Sequence, residues 1–263
     1  MSEPIELRPI WMRSLIPTEG RRDFGAMIEK LLRAPPGVRR PYVACNLIAT
    51  LDGRATVGGS TEALGFQTDA RVLMRMRTFA DAILIGAGTM RVERYDRMLP
   101  VSRLRGYRRQ IGLPEDPLTV IVSQTLDLPW DAGLFSDGHG KVVLATASSA
   151  SPPPTRTEVE MLRYEGEADF ESIFAHLHRE HGVEAVSCEG GPAVLHALIL
   201  AGLVDDLFLT QNPILIGDGE RSLVRGSLPG PVPAELVWAL EAEGELFTRW
   251  DIGGDRRGTA EQR

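Results

Sequence analysis

The chain has 263 residues, 43% of them hydrophobic and 25% charged, the make-up of one large globular domain or of two small ones sharing a sheet. A formal net charge of −7 argues against general nucleic-acid binding, no apolar run is long enough to span a membrane, and no signal peptide opens the chain. Only Cys45 and Cys188 occur, both inside predicted strands, so they read as buried reduced thiols of a cytoplasmic protein whose core needs no disulfide or metal.

Residues 1–40 read as a peripheral N-terminal extension. Within it, residues 22–33 predict a helix with Phe24, Met27, Ile28, Leu31 and Leu32 on one face, stopped by Ala34-Pro35-Pro36-Gly37. Tyr42 to Thr50 reads as a mostly buried strand, followed by an Asp52-Gly53 turn and a Gly/Ser/Thr loop to Gly65. Thr68 and Asp69 are placed to cap a helix that runs to Phe79, with Val72, Leu73, Met76 and Phe79 as its apolar stripe. A strand at 82–85 then meets a glycine turn, Gly86-Ala87-Gly88-Thr89. Residues 103–117 read as a polar loop. Strands at 119–122 and 141–145, a Ser/Pro-rich linker at 148–154 and a short strand at 158–163 follow. Asp169 caps a helix over 170–179. The strand 183–188 enters a second glycine turn, Glu189-Gly190-Gly191-Pro192, and Pro192 takes a favoured first-turn position of a helix reaching Leu200. Another strand begins at Asp205, and 236–240 with 245–251 form a terminal antiparallel pair. Residues 253–263 read as a disordered tail.

Strands alternating with helices imply a mostly parallel sheet covered on both faces, with the terminal pair as an antiparallel edge. Ligands of such sheets bind outside the carboxyl ends of the strands, where both glycine turns fall. Such turns aim backbone N–H groups at a phosphate, and two of them could hold the two ends of a nucleotide. Neither completes the G-x-G-x-x-G fingerprint, because Arg91 takes the place of the third glycine. The next strand ends in Ser123-Gln124-Thr125 where an acidic residue would hold a ribose hydroxyl, which favours NADP over NAD. From Arg71 to Arg109 there are ten Arg against Asp81, Glu93 and Asp96, a zone suited to a small polyanion or to a solvated face. Arg77 either reaches a phosphate or pairs with Asp81. Glu189 either accepts from a substrate N–H or caps the helix after it. His176 and His178 point apart on a helix and His181 falls past its end, so they read as solvated residues and no metal site is expected.

Taken in order, Tyr42-Val43-Ala44, Thr50-Leu51-Asp52-Gly53, Arg77, the run Asp81 to Thr89, Glu189-Gly190-Gly191-Pro192, Ala201 to Asp206 and Pro213-Ile214-Leu215-Ile216-Gly217 resemble a known family. It is the C-terminal reductase domain of the riboflavin-biosynthesis deaminase–reductase. The match covers about residues 41–251 and sets a reductase domain at 41–252; no His/Cys zinc-deaminase signature accompanies it. The resemblance implies a three-layer α/β/α fold like that of dihydrofolate reductase, a homodimer, and NADPH-dependent hydride transfer to a 5-amino-6-(5-phosphoribosylamino)uracil-type substrate. It implies cofactor contacts from Ile48, Leu64, Gly86, Gly88, Thr89, Glu93, Ser123 and the stretch Gly190, Gly191, Pro192, Ala193, Val194 and Leu195. It implies substrate contacts from Asn46, Glu62, Arg77 and Glu189, with Arg97 and Arg103 competing for the phosphate. Asn46 stands where many members carry a Lys facing the substrate. A dihydrofolate-type or other pterin or pyrimidine reductase, and a non-catalytic nucleotide-binding protein, are therefore the alternatives.

Overall fold

The computed structural model describes residues 5–16, 20–32 and 40–253; the expected tail from residue 254 onward lies outside them. The elements in chain order are β1 (Trp11–Ile16), β2 (Gly20–Asp23), α1 (Phe24–Leu32), β3 (Tyr42–Thr50), α2 (Gln67–Phe79), β4 (Ala82–Gly86), α3 (Ala87–Glu93), α4 (Ser102–Gln110) and β5 (Leu118–Ser123). There follow α5 (Gly133–Ser136), β6 (Lys141–Thr146), β7 (Glu158–Arg163), α6 (Phe170–His181), β8 (Ala185–Cys188), α7 (Pro192–Leu200), β9 (Asp206–Asn212), β10 (Glu235–Ala242) and β11 (Glu245–Asp251).

All eleven strands join one sheet in the order β2-β1-β10-β11-β9-β3-β8-β4-β5-β6-β7. From β9 to β7 every pairing is parallel, and from β9 to β2 every pairing is antiparallel. The period of two along each strand divides the core. Leu84, Val143 and Ala145 face α6 and α7, while Ile83, Ile85, Val142 and Leu144 face the α3 and α5 side. This is the expected three-layer α/β/α arrangement. The antiparallel pair β10–β11 lies inside the sheet, because β1 adds to β10. Part of the N-terminal stretch is thereby built into the fold: Ile10, Met12, Phe24, Ile28 and Leu32 share a core cluster with Val72, Met76 and Phe79 of α2.

Two local expectations are corrected. Residues 103–117 hold a helix, α4, where composition alone read a polar loop. Its Arg108 is fully buried and donates to the carbonyls of Arg77, Thr78 and Ala80 at 3.1, 3.0 and 2.6 Å. Those are carbonyls left without partners at the end of α2, so the cation is consumed in closing a helix. The start of α2 is likewise not capped by Thr68 or Asp69; its cap residue is Phe66, with no side-chain bond. Carboxylates from the β10–β11 turn do that work: Glu243 accepts from the Thr68 amide at 2.9 Å and Glu245 from the Phe66 amide at 3.1 Å. Asp169 does cap α6, accepting from the Ser172 amide at 3.1 Å.

Candidate active site

β8 lies between β3 and β4; the chain leaves β3 and β4 toward the β5 side of the sheet and leaves β8 the opposite way, toward β9. An open cleft lies at the carboxyl ends of these strands, where such a crossing leaves a crevice. Asn46, Leu47 and Ile48 of β3 form one wall, and Asp69 and Leu73 of α2 stand beside them. Thr89, Glu93 and Tyr95 follow β4, while Glu189, Gly191 and Pro192 follow β8. Leu64 and Thr61 come from the loop after β3.

The two glycine turns touch. A Cβ on Gly191 would lie 2.8 Å from the Thr89 hydroxyl oxygen, and the φ of Gly191 is +76°, so both space and backbone call for glycine. A Cβ on Gly86 would meet Val194 Cγ2 at 2.9 Å, and one on Gly190 would meet Val194 at 3.0 Å. Gly86, Gly190 and Val194 thus pack the second turn against the first, and Leu195 anchors α7 in the core. Gly88 faces open space. Ala193 is exposed on the first turn of α7, where Pro192 has no N–H and the Val194 and Leu195 amides both donate to the Gly191 carbonyl at 3.1 Å. Ser123 is buried at the end of β5, its hydroxyl donating to the Thr125 carbonyl.

Arg77 and Glu189 form a buried bidentate pair. Nε donates to Oε1 at 2.8 Å and Nη2 to Oε2 at 2.6 Å, while Nη1 donates to the Met98 carbonyl at 2.7 Å. The guanidinium also lies 5.2 Å from the centre of the Tyr95 ring. Burial opposes the charge on Arg77, but Glu189 overrides it and holds the pKa above its ordinary value. Arg77 turns to Glu189 instead of Asp81, and it stands behind the cleft wall. A direct phosphate contact from Arg77 does not fit this geometry, because its donors are already engaged.

Arg97 and Arg103 also lie away from the cleft. Arg97 is held by Asp116 at 2.7 and 2.5 Å and by Glu115 at 3.0 Å, and Arg103 donates to the Glu6 carbonyl. Glu62 is exposed and outside the cleft lining. The cation that does line the cleft is Arg221, which sequence reasoning missed. Its backbone is fixed by the Ala55 amide, which donates to the Arg221 carbonyl at 2.7 Å, and its side chain is exposed. The signal was its place just after Ile216-Gly217, a segment already tied to the first turn by Asp52. Asp52 accepts from the Gly217 amide at 2.6 Å; the Thr50 hydroxyl and this amide hold its pKa down at about 2.

The histidines depart from expectation. His181 is the last residue of α6 and not beyond it, so His176 and His181 both reach Glu160 on β7, at 2.7 and 3.2 Å. Lys141 Nζ lies 2.9 Å from the same carboxylate. The cluster is remote from the cleft lining and ties an edge strand to a helix.

Residues 41–236 match the model of the RibD C-terminal domain. A 2,5-diamino-6-ribosylamino-4(3H)-pyrimidinone 5′-phosphate reductase of Methanothermobacter thermautotrophicus is 30% identical over 229 residues, 82% of this chain and 100% of that protein. Its namesake in Archaeoglobus fulgidus is 28% identical over 190 residues, 70% of this chain and 86% of that protein. Among solved structures, a pyrimidine reductase-like protein from Corynebacterium diphtheriae superposes with a TM-score of 0.70 at 24% identity, over 86% of this chain and 98% of that one. The Thermotoga maritima deaminase/5-amino-6-(5-phosphoribosylamino)uracil reductase has the same fold, with a TM-score of 0.64 at 20% identity over 81% of this chain and 57% of that one. With its fold, its paired glycine turns and these relatives in agreement, the chain belongs to the RibD C-terminal domain family, and it is an oxidoreductase of riboflavin biosynthesis.

Proposed function

We propose that the cleft binds NADPH along the two glycine turns and reduces the sugar carbon of a ribosylamino-pyrimidine 5′-phosphate. The observation that carries this is the contact of the turns themselves. Gly191 lies against Thr89, so backbone from two strand ends converges in a cleft that Asn46, Asp69 and Arg221 also line. The residues fit a dinucleotide phosphate. A Cβ at Gly86, Gly190 or Gly191 would crowd the cradle, and on the first turn of α7 the Ala193 amide has no backbone acceptor among the described residues.

Gly190, Gly191, Pro192, Ala193 and Thr89 would hold the pyrophosphate, and Ile48 and Leu64 would wall the nicotinamide. When bound, NADPH supplies the hydride, so the protein needs no nucleophile. The turn Ser123-Gln124-Thr125 carries no carboxylate, and Arg91 reaches the same loop at the Asp127 carbonyl (2.7 Å), which supports the phosphorylated cofactor over NADH. Arg221 takes the 5′-phosphate role for which Arg97 and Arg103 were candidates. Arg77 positions Glu189, and Glu189 presents its carboxylate to the sugar or the amino nitrogen. A second copy of the chain would complete the homodimer that the family resemblance implies.

The test is loss of reduced-nicotinamide absorbance with the ribosylamino-pyrimidine phosphate, with dihydrofolate in parallel. Turnover of the pyrimidine and faster reaction with NADPH than with NADH are expected. Oxidation by dihydrofolate alone would overturn the substrate, and no NADPH binding would overturn the whole reading.

A further inference from the structure

We propose that Glu160, His176 and His181 form a binding site for a divalent transition-metal ion, zinc foremost, which clips the edge strand β7 to the end of α6. The site lies apart from the cleft and does not depend on the reductase reading.

β7 closes the parallel half of the sheet, and none of its six residues is fully buried. Apolar packing therefore holds it less firmly than the strands inside the sheet, and polar contacts to α6 matter more. Those contacts converge on one oxygen. Glu160 Oε1 lies 2.7 Å from His176 Nε2 and 3.4 Å from His181 Nε2, and the two imidazole rings stand 5.6 Å apart, centre to centre. All three ligand atoms fall within 4.8 Å of one another. A tetrahedral zinc ion with bonds of about 2.0–2.1 Å sets neighbouring ligand atoms about 3.3 Å apart. The two oxygen–nitrogen distances bracket that value. The two nitrogens need close by at most about 1.5 Å, which turning one ring supplies. His178, on the same helix, is not part of the set, because its Nδ1 is engaged with the Val183 carbonyl at 3.0 Å.

The surroundings favour a cation. Lys141 Nζ holds the other oxygen, Oε2, at 2.9 Å and also lies 2.9 Å from Glu158. It fixes the carboxylate from behind and leaves Oε1 facing the histidines, as outer donors do for ligating carboxylates. Glu180 stands close to both rings, and Arg179 is paired with it at 2.5 Å. Three carboxylates thus face two cations, so with neutral imidazoles the patch is negative. His181 ends α6, where the helix dipole also favours positive charge. The histidine side chains are 20% and 15% exposed, so an ion and a water in the fourth position can enter without unfolding. Two imidazoles and one carboxylate suit zinc, nickel or copper, whereas magnesium and calcium seek oxygen ligands.

The test is calorimetric titration of the untagged, chelator-treated chain with zinc chloride in a non-coordinating buffer. One ion per chain is expected, with no heat from magnesium chloride. His176→Ala and His181→Ala should each weaken zinc binding by at least about 100-fold, since loss of an outer-shell partner alone costs 10–100-fold. His178→Ala should leave it unchanged. Zinc at a hundred times its dissociation constant should raise the melting temperature of the unmodified chain by about 5 °C, and not that of His181→Ala. Cobalt(II) on the unmodified chain should give the strong visible absorption of a four-coordinate ion, a reading that stands even where a variant fails to fold. Absence of zinc binding, binding that survives both histidine substitutions, or the weak spectrum of six-coordinate cobalt would overturn the site and leave only hydrogen bonds between β7 and α6.

Discussion

Arg77 and Glu189 are 4% and 9% exposed, so each charge depends on the other for what water would otherwise supply. Arg77→Ala leaves Glu189 buried without its partner and should lower unfolding free energy by about 3–5 kcal/mol, read from urea denaturation. Loss of substrate affinity in a variant that keeps full stability would instead show that Arg77 touches the ligand. Arg221 is the contrasting case, an exposed cation with little to stabilise. Arg221→Ala should leave the melting temperature unchanged and raise KM for the phosphorylated substrate by about 10–100-fold, while KM for NADPH stays put. An unchanged KM would remove it from the phosphate site. Both partners of the buried pair were visible in the sequence as polar residues in apolar surroundings. Their pairing was not, because they lie 112 positions apart and only the sheet brings β8 beside β4.

At the level of elements, the start of α2 is held by acids from the far side of the chain. Glu245 is fully buried, and burial together with the nearby Asp69 raises its pKa from the ordinary 4.5 to about 7. The folded state therefore holds a proton that the unfolded chain releases above about pH 4.5. Stability from this group is present in full below that value and falls as pH rises toward about 7. Melting temperatures taken from pH 5 to 8 should decline across that window, and Glu245→Gln should flatten the decline. A rising profile in the unmodified chain would contradict the assignment. Helices and strands with a clear apolar period were legible in the sequence, α1, α2, α6 and β3 among them. α4 was not, because its sequence, Ser-Arg-Leu-Arg-Gly-Tyr-Arg-Arg-Gln, carries no apolar stripe and its buried anchor is Arg108. Burial of an arginine is decided by the carbonyls it finds, and those belong to another helix.

For the molecule as a whole, the parallel half of the sheet and the placement of the cleft followed from alternation of strands and helices. The antiparallel half reached further than expected, since β1 pairs with β10 across more than two hundred positions: Arg13 Nε donates to Glu241 at a separation of 228. No local pattern encodes such a pairing. Deletion of residues 1–32 would bare the β10 edge and strip Ile10, Met12, Phe24, Ile28 and Leu32 from the core, each worth about 1.5–3 kcal/mol of burial. Size-exclusion chromatography should then show aggregated or unfolded chain. A soluble, cooperatively melting product would mean that these residues are dispensable.

β8 has a bearing on how the protein comes into being. It is four residues long, it pairs with β3 on one side and β4 on the other, and both of those strands were made long before it, β4 by about a hundred residues and β3 by more. A nascent chain emerges from the ribosome with β3 and β4 already made and the strand that joins them still to come. Until Ala185 is released, each presents an open edge, and half of the phosphate cradle does not exist. A prematurely halted chain is thus no weak enzyme but an adhesive fragment, and the cleft appears only in the last third of synthesis, in one closing step.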